Sequence, residues 1–196
     1  MTIRRGEPWG EEVPRPEHVA VASSDAELAA MVASDPGAVM ATSGGDVHAA
    51  LGRPSGRGAT AQRLPMDLLR LSWEGGSALA VAHTVLRTTW WRGTVVAVMN
   101  VERLGTWDVA PQAHPNDGRA DVVTVARSMS LRTRLAVRRR LPTGTHLPHP
   151  DIEVRRRAEG AVTVGGEADL WIDGVRHGRC RQLTFVVEPD AYSLVC

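Results

Sequence analysis

Three residues in this chain carry proton-transfer groups in stretches that break the local pattern: Asp46 in SGGDVH, Asp117 in HPNDGR and His177 in DGVRHG. Carboxylate and imidazole are the usual general acids and bases. Around them lie groups suited to holding a ligand. Gly44 and Gly45 could let backbone amides approach a ligand closely. Trp90 and Trp91, in TTWW, could form a platform for an apolar molecule, although core packing accounts for such a pair equally well. Asp173 opens a D-G turn, and His83 sits in the apolar run LAVAHTVL, where a core histidine fits as well as a ligand contact. His146 and His149 in HLPHP lack the third and fourth ligands that zinc needs. Asp117 lies in a polar insert with two prolines between two strand-like runs, WDV and ADVVTV. Asp-Gly there is turn chemistry, so its carboxylate could simply accept the turn's own amides.

Each group needs an element to position it. HVAVASS reads as a strand, and SDAELAAMVASD as a helix capped by Ser24 or Asp25, with Leu28, Met31 and Val32 on one face. GAVMATSGGD is a second strand running into a glycine-rich turn, and DVHAALGRP a short helix ended by Gly52 and Pro54. This alternation is the grammar of an α/β layer. SGRGATAQR reads as a flexible connector, and the Pro- and Glu-rich opening as irregular. From Leu64 the hydrophobic period becomes two: strands flank EGGS, GTVVAVMN is a buried strand, and the tail alternates through IEVRRR, AVTVG, ADLWIDG and QLTFVVEPDAYSLVC. The turns GG, DG and EPDA predict hairpins. One helix interrupts this half, SLRTRLAVRRRL, capped by Ser128 or Ser130, with Leu131, Leu135 and Leu141 as its apolar stripe.

Composition sets the bounds. The chain has 196 residues, 43% hydrophobic and 23% charged, which suits one domain or two small ones. A net charge of +1 gives no global drive toward nucleic acid. No apolar run is long enough to span a bilayer, and MTIRRGEPWGEE lacks the apolar core of a secretory signal, so a cytoplasmic protein is expected. Cys180 and Cys196 match no metal or redox spacing and read as reduced thiols. There is no lysine, which excludes Schiff-base chemistry and a phosphate-gripping lysine. The Arg, Ala, Val and Gly bias suggests a GC-rich bacterial genome. Arg138–Arg140 and Arg155–Arg157 could meet anionic lipid.

Four segments, in order, resemble the diacylglycerol kinase family, which includes bacterial lipid kinases and sphingosine kinases. TSGGDVHAALGRP is similar to the family's G-T-G-N-D-F-A-R-x-L-G-x-P, and APQAHPNDGRADVV to P-x-A-x-x-x-D-G-x-x-D-V. The helix LRTRLAVRRRL leads into TGTHLPHPDIEV as the family's helix leads into G-x-H-x-x-H-P, and DLWIDGVRHG resembles the strand–D-G-E–x-x-G hairpin. The likeness covers Ala38 to the C-terminus. It implies a Rossmann-like nucleotide domain, here a stub at residues 1–58, packed on an antiparallel β-sandwich at 59–196 with one main helix. The fold class is therefore α+β. The resemblance also implies a cleft between the two parts, and a Mg²⁺ on Asp117 with the carbonyls of His114 and Arg119.

Two departures bear on activity. The G-G-D-G-T phosphate loop has no counterpart; aligned there instead, SGGDVH puts Val47 and His48 where glycine and threonine belong. The glutamate of D-G-E, the family's general base, is Val175, which cannot accept a proton. The nearest substitutes are Asp173, His177 and Glu167. The expectation is a degenerate member that does not bind ATP tightly and holds a small or lipid-like ligand in the cleft, with Asp46, Asp117, His177 or His83 as acid–base groups if it has a reaction of its own. Two rival readings are a lipid kinase completed by a partner, and an interaction module, for example a homodimer joined through Trp90 and Trp91.

Overall fold

The computed structural model describes residues 9–35, 37–54 and 58–196. In chain order the elements are β1 (Glu11–Pro14), β2 (Ala20–Ala22), α1 (Asp25–Ser34), β3 (Val39–Thr42), α2 (Gly45–Ala50), β4 (Thr60–Trp73), β5 (Gly76–Ala80), β6 (His83–Arg87) and β7 (Val95–Met99). There follow β8 (Arg103–Leu104), β9 (Trp107–Asp108), β10 (Ala120–Val125), α3 (Leu131–Arg140), a 3-10 turn (Leu141–Thr143), β11 (Ile152–Arg157), β12 (Glu159–Ile172) and β13 (Val175–Val195).

The main path of the sheet runs β1-β4-β13-β12-β6-β7-β10-β11, antiparallel throughout. Its β-branched, alternating strands curl so that one face of the sheet packs around a shared core. One core draws Leu69 and Leu71 of β4, Leu170 of β12 and Phe185 of β13 against Leu86 of β6 and Val96 and Val98 of β7. That enclosure makes the β-sandwich expected from the change of period. On the outer face of β6, β7 and β10, Val85, Ala97, Met99 and Val123 form a second core covered by α3 and its flanking loops. A third, around Leu28, Val32, Met40, Met66 and Leu194, joins the α/β segment to the end of the sandwich. There β2 and β3 pair in parallel, and β3 pairs in parallel with β13 through Ser193 and Leu194. Strands on both sides of residue 58 thus share one hydrogen-bonded sheet.

Several expectations need correction. Part of the opening stretch is ordered: Glu11–Pro14 pair with Thr60–Arg63, so β4 starts four residues before Leu64. Residues 1–8 of that stretch and 55–57 of the connector lie outside the described residues. Asp173-Gly174 does close a two-residue hairpin, with φ of 46° and 80°, the left-handed pair that matches strand twist. Gly165-Gly166 and the EPDA segment do not turn the chain. β12 runs through the glycines with a bulge between Thr163 and Ala168, and β13 runs through Pro189–Ala191 with a bulge opposite β4. A bulge adds residues and twist without reversing a strand. The leucine stripe of α3 faces outward: Leu131 is 52% and Leu135 44% exposed, whereas Arg134 is 5% exposed. Arg134 orients the helix, because its guanidinium donates to the carbonyls of Trp90, Gly93, Ala126 and Met129.

Candidate functional site

The glycine-rich turn is already filled from within. Ser24 caps α1, accepting from the Glu27 amide at 3.2 Å, which leaves the Asp25 side chain free to reach α2. Its carboxylate accepts from the amides of Asp46 at 2.6 Å and Val47 at 3.0 Å. Gly44 and Gly45 permit this approach. Gly45 has φ of 91°, and a Cβ there would collide with the Asp25 carboxylate; one on Gly44 would strike the Ser23 carbonyl. Burial lifts the Asp25 pKa to about 6 against the pull of the two amides. The helix-end amides that could cradle an anion thus hold an internal carboxylate.

Asp46 and His83, far apart in sequence, meet at 2.9 Å between Oδ2 and Nε2. Asp46 Oδ1 accepts from the Gly105 amide at 2.8 Å, so both its oxygens are engaged. Burial works against the ionised carboxylate, but the hydrogen bond and charge of His83 and the Gly105 amide bring its pKa below the usual range. Burial likewise opposes a charged His83, yet the Asp46 bond and the fields of Asp173, Asp46 and Asp25 raise its pKa. Their hydrogen bond ties α2 to β6 and, through Gly105, to the β8–β9 turn. Asp173 works one layer beneath. It accepts from the amides of Val81 at 2.8 Å, Ala82 at 3.0 Å and His83 at 2.9 Å, holding the break between β5 and β6. Burial raises the Asp173 pKa, against His83 and these amides.

Beside this cluster is a cleft of about 510 Å³ between α1 and the sheet. Ala26, Ala29, Ala30 and Ala33 line it from α1; the sheet contributes Arg70, Ser72 and Ser77 as well as Leu71, Ala78 and Leu79, and Asp173 and His177 complete the lining. A bulge brings His177 there: Arg176 pairs with Trp171 and Arg179 with Asp169, so His177 and Gly178 together face one residue of β12. Gly178 takes φ of 103° at this kink. The His177 ring stands edge-on to Trp73 at 6.2 Å. Val175, 47% exposed, begins the same strand.

The other expected residues lie elsewhere. Asp117 does not line the cleft. Its Oδ1 accepts from the Arg119 amide at 3.0 Å, and its Oδ2 is 3.7 Å from the Arg156 guanidinium. Burial raises its pKa, partly opposed by Arg156. A divalent cation would have to share this carboxylate with a guanidinium, so Asp117 with the His114 and Arg119 carbonyls fits a turn brace and not Mg²⁺. The centre of that loop is a residue not singled out from sequence. Asp67 accepts from the amides of Gly118 at 2.6 Å and Asp190 at 3.0 Å and from Asn116 Nδ2 at 3.3 Å, and burial lifts its pKa to about 6. A lone carboxylate in the apolar strand LPMDLLRL was the available signal. Trp90 and Trp91 line a separate cavity of about 290 Å³ with Trp107, Met129 and Arg138. Trp90 packs edge-on to Trp107 at 5.3 Å, and the Arg87 guanidinium lies 4.5 Å from its ring centre. Of the arginine runs, Arg155 and Arg156 are paired with Glu153 and with Asp121 and Asp117.

The sequence pattern of the YegS C-terminal NAD kinase beta sandwich-like domain matches residues 76–196, more than half of the chain. The chain belongs to this family. The solved structures similar to this YegS-type chain include a candidate diacylglycerol kinase from Bacillus anthracis str. Sterne, at a TM-score of 0.59 and 13% identity over 80% of this chain and 69% of that one. A further structure of a diacylglycerol kinase from the same organism gives 0.54 at 12% identity, over 80% and 66%. At such identity the likeness is one of fold. No curated protein sequence is similar to the chain. Among the described residues no helix is long and apolar enough to cross a membrane.

Proposed function

We propose that this YegS-type chain holds a small apolar or lipid-like ligand in the cleft between α1 and the sandwich, and does not transfer phosphate from ATP. The cleft carries the reading: Ala26, Ala29, Ala30 and Ala33 make an apolar wall facing Leu79, and Arg70, Ser72, Ser77 and His177 supply polar groups around it, the usual character of a small-molecule site. The Asp25 carboxylate on the α2 amides supports the loss of nucleotide binding, since a phosphate would have to displace a buried charge of its own sign. Valine at the position of the family's base supports it again.

Thermal shift with a short-chain diacylglycerol tests the proposal. The wild type should be stabilised, because a ligand of the native state raises stability by mass action, and Ala30→Trp, which fills the slot from an exposed helix position, should not respond. Calorimetry with Mg-ATP should give nothing tighter than ~1 mM. The rival reading is lipid phosphorylation with His177 as base, favoured by the bulge that carries this imidazole to the slot. A micromolar Mg-ATP isotherm would establish the rival and remove the proposal.

A further inference from the structure

Helix α3 is inverted relative to an ordinary surface helix. It buries an arginine and turns Leu131 and Leu135, one turn apart, to solvent; they are two of the six large hydrophobics exposed among the described residues. At 100° per residue Arg138 flanks the leucines on one side and Arg132 and Arg139 on the other. The helix contains five arginines and no acidic residue. No ion pair among the described residues reaches them. The carboxylate acting on the helix is Asp151, felt by the buried Arg134. Past the helix, Leu131 shares a cavity of mixed lining, about 550 Å³, with Trp91 and Met129 and with the polar Thr88, Thr94, Arg92 and Arg127. Arg138 lies 5.2 Å from the Trp91 ring centre.

We infer that this face docks on an anionic lipid bilayer, with Leu131, Leu135 and Trp91 entering the interface and Arg127, Arg132, Arg138 and Arg139 meeting lipid phosphates. Exposed leucines between guanidinium groups, beside a half-buried tryptophan, are the pattern of an interfacial helix. Nucleic acid would use the charge and leave the leucines wet. The surface shares no residue with the α1 cleft, so the inference stands apart from the ligand reading.

Flotation with phosphatidylcholine vesicles, with and without a third of phosphatidylglycerol, tests it. The full chain should float with the anionic vesicles only, and high salt should release it. Removing one arginine charge should weaken binding by about fivefold and reversing it by more, so Arg138→Glu/Arg139→Glu should stay at the bottom of the gradient. Leu131→Ser/Leu135→Ser should lose at least about tenfold while melting like the wild type, since both positions are exposed. Ala30→Trp should float normally. A wild type that ignores anionic vesicles overturns the inference. So does a leucine pair variant that binds as well as the wild type, which would mark a bare charge patch open to any polyanion.

Discussion

Helices α1 and α3 have the same length and the same start. Each spans ten residues and is capped by a serine accepting from the third amide, Ser24 from Glu27 at 3.2 Å and Ser130 from Thr133 at 3.1 Å. From there they part. α1 buries Leu28, Ala29 and Val32 and leaves an alanine wall along the cleft. α3 buries Arg134 and exposes its leucines. Local signals decide that a helix forms. Which face goes inward depends on what the underlying surface offers. Beneath α1 that surface is an apolar core. Beneath α3 it includes four carbonyls that a guanidinium can satisfy in one place.

The sharpest test of this contrast is truncation of one leucine in each helix. Leu28→Ala should cost about 3 kcal/mol in urea unfolding, as deletion in a packed core does, whereas Leu135→Ala should stay within about 0.5 kcal/mol. If the two costs are similar, the inversion of α3 is wrong. Next in size is Arg134→Ala, which leaves buried carbonyls without a donor and should cost about 2 kcal/mol; Arg138→Ala on the outer face should be nearly silent.

A pH scan separates the helices further, because only α1 carries a buried carboxylate. The Asp25 pKa is raised to about 6 from 3.8, so the folded state prefers its protonated form. Its favourable contribution is present below the unfolded value and is lost as pH rises through about 6. Asp25→Asn should therefore lose less stability than the wild type between about pH 4 and 7, by up to ~2 kcal/mol. The remaining slope belongs in part to Asp67, which is raised in the same way. Smallest is the feature the helices share: Ser24→Ala and Ser130→Ala should each cost about 1 kcal/mol. Unequal costs would show that one cap relies on its surroundings, where Glu27 also accepts from Ser23 at 2.7 Å.

Much of the framework was legible because its signals are local. The caps at Ser24 and Ser130, the Asp173-Gly174 hairpin and the alternation of VVTV each depend on a few neighbouring residues. The pairing of Asp46 with His83 and the reach of Asp25 to the amides of Asp46 and Val47 depend on how separate elements pack, and no spacing encodes them. Asp46, His83 and Asp173 were picked out by residue type, and the structure does bring them together. Asp117 was picked out too, but its partner Arg156 lies on a strand 39 positions later, beyond the view of a local reading. The segments GG and EPDA misled because glycine and proline also mark bulges in strands long enough to absorb them.

Strand β13 shows what such length entails. It pairs with β4 from Thr184 opposite Ser72 to Val195 opposite Arg63, and its end also holds β3. On a ribosome adding ~5–20 residues per second, β4 would leave long before its partner, a delay on the order of ten seconds. During that interval the apolar edge of Leu69 and Leu71 has only β5 beside it. The nascent chain is therefore most open to chaperones, and to neighbouring copies of itself, until the last strand closes the sheet.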